Sequence, residues 1–138
     1  MSKYLVDNSA WARYILNDPA VRKRFRRIED TPSDQFVTCP PQVLEFCYSA
    51  PSDKYDEYRV LISLGFPLEL HPEEDFVLDL QGTLWKSGKF RAAGSIDILI
   101  AAYAILNDAI VLSCDHDFSH IAEVSDLQQE YISPTNPL

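Results

Sequence analysis

Five acidic residues, spread over four segments of this 138-residue chain, stand where a carboxylate needs a partner. These residues are Asp7, Glu45, Asp97, Asp115 and Asp117. Asp97 is the most conspicuous, because segment 96–106 around it is apolar on nearly every side, as in a buried helix. An isolated carboxylate there would cost on the order of several kcal/mol in lost hydration. We therefore expect Asp97 to be neutral, paired, or bound to a metal ion.

The other four acids lie at the ends of predicted secondary-structure elements. Asp7 ends a short strand, and Glu45 lies early in a helix. Asp115 and Asp117 follow the most apolar strand and point to the same side if the chain stays extended. Each acid also has an ordinary local explanation, either a place near the positive end of a helix or a place in a solvated turn. The coincidence of all five indicates a site.

Strands and helices alternate along the chain, which is typical of an α/β fold with a mostly parallel sheet. The predicted strands are 3–7, 36–38, 68–70, 109–113 and 131–132. The predicted helices begin at 9, 19, 40, 52, 72, 96 and 118. Functional groups in such sheets gather at the carboxyl ends of the strands. This places Asp7, Asp115 and Asp117 at one edge of the molecule.

A cluster of carboxylates needs a counter-charge. Two carboxylates about 4 Å apart repel by on the order of 4 kcal/mol at an effective dielectric constant near 20. No basic residue lies beside these acids in the sequence, so a divalent cation is the expected counter-charge. Oxygen ligands without a paired Cys/His set favour Mg²⁺ or Mn²⁺ over zinc. One or two such ions could activate water for attack on a phosphodiester.

Composition limits the other possibilities. The length suggests a single domain spanning 1–138, and the net charge of −9 disfavours a general polyanion binder. No run of about 18 apolar residues exists, and Asp7 comes too early for a signal peptide, so we expect a cytoplasmic protein without a membrane span. The three cysteines are widely spaced and are expected to be free and buried.

Four motifs together resemble a known family. They are YLVDNSAW at 4–11, PQVLEF at 41–46, IDILIAA at 96–102 and LSCDHDF at 112–118. In content, order and spacing they resemble the PIN-domain ribonucleases, and most of all the VapC toxins of bacterial type II toxin–antitoxin systems. The resemblance implies a PIN-like α/β/α sandwich. It also implies an endoribonuclease, a hydrolase that cuts RNA phosphodiesters with water activated by Mg²⁺ or Mn²⁺.

The resemblance also implies roles for individual residues. Asp7, Glu45, Asp97 and Asp115 are then the catalytic acids, and the same four with Asp117 are the metal ligands. Within this hypothesis, Asp7, Glu45 and Asp97 hold one ion. Asp97, Asp115 and Asp117 hold a second ion when RNA brings it, unless Asp117 only orients its neighbours. Ser9 supports the site by holding Asp7 or a metal-linked water.

The resemblance further implies partners: an RNA substrate, a cognate VapB-like antitoxin, and a second copy in a homodimer. Candidate RNA contacts are Lys86, Lys89 and Arg91. The basic segment 22–27 either contacts RNA phosphates or forms a solvated helix face.

Two rival functions remain open. A catalytically silent PIN-like interaction module is expected to lose one or more of the acids, and this chain keeps them all. A phosphatase of the haloacid-dehalogenase type needs a second aspartate two residues after the first, and Ser9 occupies that position.

Overall fold

Five parallel strands form one sheet in the computed structural model, which describes residues 1–89 and 93–136. The strands are β1 (Ser2–Val6), β2 (Asp34–Thr38), β3 (Phe66–Pro67), β4 (Ile110–Ser113) and β5 (Gln128–Tyr131). Their order across the sheet is β3-β2-β1-β4-β5. The central strands β1 and β4 are therefore neighbours, with Val6 opposite Leu112. Both strands end at the same edge.

Seven α-helices connect and cover the strands within the described residues. They are α1 (Asn8–Ile15), α2 (Pro19–Glu29), α3 (Pro40–Tyr48), α4 (Tyr55–Ile62), α5 (Glu74–Lys86), α6 (Ser95–Leu106) and α7 (Asp117–Ala122). Two of these helices begin as the sequence predicts. Asp18 caps α2 with its side chain, and Pro19 and Pro40 occupy first-turn positions, where a missing N–H costs nothing. A single 3₁₀ turn, Ser52–Lys54, precedes α4.

The sheet has a hydrophobic core on each face, and the alternation of β1 explains why. Leu5 points into a core formed with α5, α6 and α7. Tyr4 and Val6 point the opposite way, into a core formed with α1, α2, α3 and α4. Helices thus cover both faces, and the predicted α/β/α sandwich with a parallel sheet is confirmed.

The predicted strand at 68–70 is wrong, since β3 comes two residues earlier. The backbone N–H of Leu68 still donates to the carbonyl of Thr38, at 2.8 Å. At Leu70 the side-chain amide of Asn107 makes the backbone hydrogen bonds that a neighbouring strand would otherwise make. Its amide oxygen accepts from the Leu70 N–H at 3.1 Å, and its amide nitrogen donates to the Leu70 carbonyl at 2.9 Å.

The three cysteines, Cys39, Cys47 and Cys114, are free and buried, as predicted. Among the helices in residues 1–89 and 93–136, none combines the length and apolar character required to span a bilayer.

Candidate metal centre

Asp7 lies at the junction between β1 and α1. Its backbone N–H donates to the carbonyl of Leu112 at 2.9 Å, which continues the pairing of β1 with β4. Its side chain caps α1, because the Oδ2 atom accepts the Ser9 N–H at 3.1 Å. The helix thus begins at Asn8, one residue before the predicted start at 9. The carboxylate of Asp7 is thus held at the carboxyl edge of the sheet.

Two helices bring further acids to the same place. Glu45 lies in α3, and Asp97 lies in the first turn of α6, where its Oδ2 atom accepts the Gly94 N–H at 3.4 Å. One carboxylate oxygen from each of Asp7, Glu45 and Asp97 lies within 4.8 Å of the other two. Three acids from distant parts of the chain therefore converge on one point.

Asp115 and Asp117 lie beside this group of three. The Oδ1 atom of Asp115 accepts the Asp117 N–H at 3.1 Å, where the chain enters α7. The charge of Asp115 acts on both Asp7 and Glu45, and the Asp117 side chain lies within hydrogen-bonding reach of Asp97. In residues 1–89 and 93–136, these two acids are not among the set whose oxygens meet within 4.8 Å.

Ser9 connects the ends of the two central strands. Its Oγ atom accepts the Cys114 N–H at 2.9 Å, and its own N–H donates to Asp7. Its hydroxyl also lies within hydrogen-bonding reach of the Asp7 and Asp115 carboxylates, and these contacts offset part of the rise that burial causes in the pKa of both acids. One small side chain thus orients two of the predicted site residues.

The pKa values of the clustered acids are raised. Burial is the largest cause, and the negative charges of the neighbouring acids add to it. Burial raises the pKa of Asp7, Glu45 and Asp115, and like charges add to the effect. For Asp97, burial and then the charges of Asp7 and Asp117 raise the pKa to about 7. Without a counter-ion, the folded chain therefore disfavours full ionisation of this cluster.

The residues fit a divalent cation that prefers oxygen ligands. Among the described residues, no group hydrogen-bonds to the buried Oδ1 atom of Asp7, which is costly unless another group, such as a cation, contacts it. The converging ligand atoms are all carboxylate oxygens, as Mg²⁺ and Mn²⁺ prefer. No two of these oxygens are more than 4.8 Å apart, which is only a little more than twice a Mg–O distance of about 2.1 Å.

The basic residues predicted as possible RNA contacts, and those of the basic segment, differ in their surroundings. Lys86 is exposed at the end of α5, whereas Lys89 forms an ion pair with Glu123 at 2.5 Å. Arg91 lies outside the described residues. Within the basic segment, Arg24 pairs with Glu130 at 2.6 Å, and Arg22 stacks over the ring of Tyr14. At least three of these cations are thus already engaged by the protein.

Sequence reasoning missed Gln42, which ties α3 to β1. This buried side chain donates through Nε2 to the carbonyl of Val6 at 2.7 Å. Its Oε1 atom accepts the Cys39 N–H at 3.3 Å. Gln42 therefore fixes the helix that carries Glu45 against the strand end that carries Asp7. The available signal was its place three residues after the cap of a predicted helix, where glutamine often bonds back.

Comparison with known proteins agrees with this architecture. The family model for the PIN domain matches residues 4–124, so the chain belongs to the PIN-domain family. A comparison with curated proteins finds no match.

Several solved structures share the fold. A chain of VapBC2 from Rickettsia felis, solved with a DNA fragment from its promoter, is 14% identical with a TM-score of 0.72, covering 95% of this chain and 99% of that one. A chain of VapBC-1 from nontypeable Haemophilus influenzae is 22% identical with a TM-score of 0.68, covering 94% and 97%. A chain of VapBC-5 from Mycobacterium tuberculosis, of the VapBC family of toxin–antitoxin systems, is 17% identical with a TM-score of 0.62, covering 95% and 99%.

Proposed function

We propose that this protein is a metal-dependent endoribonuclease and acts as the toxin of a toxin–antitoxin pair. The observation that carries the proposal is the convergence of Asp7, Glu45 and Asp97, whose oxygens lie within 4.8 Å at the carboxyl edge of a PIN-domain sheet. The buried, unpartnered Oδ1 atom of Asp7 supports a cation at this point. The reaction is hydrolysis of an RNA phosphodiester.

Asp7, Glu45 and Asp97 hold a Mg²⁺ or Mn²⁺ ion in this proposal. Asp115 and Asp117 extend the negative site toward α7. There they would hold a second ion, or orient a water molecule bound to the first ion. When bound, a divalent ion polarises water and offsets the negative charge of the phosphodiester. Asp97, with its pKa near 7, gives up its proton most readily when a cation is present.

The other residues of the site keep the acids in position. Ser9 holds Asp7 through its N–H, and its hydroxyl accepts a hydrogen bond from the Cys114 N–H. Gln42 holds α3 against the end of β1. These bonds reduce the rearrangement that cation binding requires, since the ligands already face one another.

We propose a VapB-like antitoxin as the protein partner, and the VapBC chains of similar fold support this choice. An apolar groove between α3 and α6 adjoins the acids, because Glu45 itself lines it. Two of its other side chains, Leu44 and Tyr48, are 71% and 91% exposed. A partner that covered this groove would also close access to the acids.

We also propose that the protein forms a homodimer. We propose a cytoplasmic location, because RNA and the antitoxin would meet the protein there. Light scattering on the purified chain measures its mass in solution. Co-expression with the neighbouring reading frame tests the antitoxin, which should co-purify with this chain and suppress RNA cleavage.

The decisive experiment for the enzyme is cleavage of total RNA, with sequencing of the new ends. The unmodified protein should cut in Mg²⁺ or Mn²⁺ and stop in EDTA, and Asp97→Asn should not cut. Asp79→Asn on the exposed face of α5 removes the same charge away from the site and should cut normally. Undiminished cleavage in EDTA or by Asp97→Asn would refute the mechanism.

Calorimetric titration with Mn²⁺ separates the enzyme from a silent interaction module. At a free ion concentration of about 100 times Kd, binding to the folded state alone should add about 2.7 kcal/mol to the unfolding free energy. Absence of both heat and stabilisation would favour the silent module.

A further inference from the structure

Two aromatic side chains stack on each other beside the acids. The ring centroids of His116 and Tyr131 are 4.2 Å apart, and their planes differ by 23°. His116 lies between Asp115 and Asp117 in the sequence, and Tyr131 ends β5 opposite Ser113 of β4. The pair therefore sits at the carboxyl edge of the sheet, immediately next to the predicted site.

The pair is exposed, unlike most aromatic residues of this fold. His116 is exposed, and Tyr131 is 37% exposed. By contrast, Trp11, Phe25 and Phe46 contact one another inside the core beneath α1, α2 and α3. A stacked pair held open to solvent offers an aromatic surface for a ligand, and every nucleobase has a face that can stack on such a surface.

Electrostatics make such a surface useful at this site. The chain carries a net charge of −9, and the acids repel RNA phosphates that are not accompanied by cations. Lys89 and Arg24 are already held in ion pairs by Glu123 and Glu130. Stacking does not depend on the sign of the phosphate charge, so it supplies affinity that the acids do not oppose.

We propose that His116 and Tyr131 form a stacking platform for one nucleobase of single-stranded RNA. The platform places the neighbouring phosphodiester over Asp7, Glu45 and Asp97. The inference rests on the proposed ribonuclease function and deepens it, because it specifies an unpaired base next to the cleaved bond. A base inside a duplex is already stacked on its neighbours and cannot occupy the platform.

The first test is binding in Mg²⁺ by the non-cleaving Asp97→Asn protein, measured by fluorescence anisotropy with a labelled single-stranded RNA of about 12 nucleotides. Adding Tyr131→Ala should weaken binding about tenfold, as expected for loss of one stacked base. Tyr131→Phe keeps the ring and should bind normally. Tyr55→Ala is the matched control, since Tyr55 is 47% exposed on α4, which carries none of the five acids.

The second test removes the base instead of the ring. Abasic sites are introduced one position at a time into the same RNA. At one position the loss should equal that of Tyr131→Ala, and the two changes together should cause no further loss. Strictly additive losses at every position, or equal affinity for a duplex of the same sequence, would overturn the platform.

Failure of the platform can be told apart from failure of the enzyme. If the unmodified protein cuts RNA in Mg²⁺ while Tyr131→Ala and His116→Ala bind and cut equally well, the platform is wrong and the ribonuclease stands. If the unmodified protein neither binds nor cuts RNA, both are wrong. Thermal unfolding of each variant checks that the loss of binding does not come from unfolding.

Discussion

Two aspartates of this protein expose the same small fraction of their surface to solvent and yet have opposite surroundings. Asp7 and Asp18 are each 3% exposed. Asp18 accepts four backbone N–H bonds, from Ala20 at 3.0 Å, Val21 at 3.3 Å, Thr135 at 3.1 Å and Asn136 at 2.8 Å. Asp7 accepts the backbone N–H of Ser9 at 3.1 Å, and in the part of the chain that the structure describes its Oδ1 atom lacks a hydrogen-bond partner.

The pKa values of the two aspartates move in opposite directions. Burial raises the pKa of Asp7, and the Ser9 bonds offset this only in part. Burial would also raise the pKa of Asp18, but the backbone donors, led by Asn136 and Thr135, bring it below its usual value. The fold itself therefore stabilises the charge of Asp18, whereas the charge of Asp7 calls for a cation. Solvent exposure does not separate these two aspartates, but the number of backbone N–H donors does.

The largest expected effect is on catalysis by Asp7→Asn. Losing this ligand should lower RNA cleavage at least about 100-fold, because the charge that holds the cation is reduced and a ligand atom is replaced. The metal-free variant should be no less stable than the unmodified protein in urea, since the substitution removes like-charge repulsion. If the metal-free variant had a clearly lower free energy of unfolding, Asp7 would be a structural acid like Asp18, and the contrast between them would be wrong.

Asp18→Ala should have the reverse effect and cost stability. The substitution removes the acceptor of four buried or partly buried N–H bonds and detaches residues 135 and 136 from the start of α2, at a cost of about 3 kcal/mol. Urea unfolding measures this loss. At temperatures where the variant is folded, its cleavage rate per folded molecule should be unchanged. A large catalytic defect in the folded variant would contradict the assignment.

The contrast also shows what could be predicted from the sequence. The start of α2 at Pro19 was predicted correctly, and its capping by Asp18 follows from the local Asp-Pro pattern. The bonds from Thr135 and Asn136 come from more than 110 residues away. No local sequence pattern reveals these bonds, because they depend on where residues 135 and 136 lie after β5.

The same limit applies to the predicted metal site. The meeting of the acids at one sheet edge could be predicted. Parallel strands end at the same edge, and α6 is too apolar to carry an acid without a partner. The grouping of Asp7, Glu45 and Asp97 apart from Asp115 and Asp117 was expected only from the family resemblance, because it depends on how α3 and α6 cross the sheet edge and no local pattern shows it. The role of Gln42 in that crossing was missed.

Stability should depend on pH in opposite ways at the predicted metal site and at Asp18. A carboxyl group with a raised pKa contributes stability below its usual pKa of 3.8 and loses it as the pH rises through the folded value, about 7 for Asp97. Asp18, with a lowered pKa, contributes stability above 3.8 and loses it as the pH falls. In EDTA, Tm should fall by on the order of 5 °C between about pH 5 and pH 8.

Three comparisons check this assignment by differential scanning fluorimetry. Asp97→Asn should flatten the decline in Tm, the control Asp79→Asn should leave it unchanged, and Mn²⁺ should reverse it in the unmodified protein. A decline that persists in Asp97→Asn together with Asp7→Asn would place the titrating groups elsewhere.

The smallest expected effect comes from Ser9, which touches both Asp7 and the backbone that leads to Asp115. Ser9→Ala removes the hydroxyl but keeps the N–H that caps Asp7, so cleavage should fall only about tenfold. The lost hydroxyl bonds had lowered the pKa of Asp7 and Asp115, so the pH–rate profile should also move to higher pH. Ser9→Thr keeps the hydroxyl and should retain both rate and profile. Equal defects in Ser9→Ala and Ser9→Thr would mean that packing at this position matters and the hydroxyl does not.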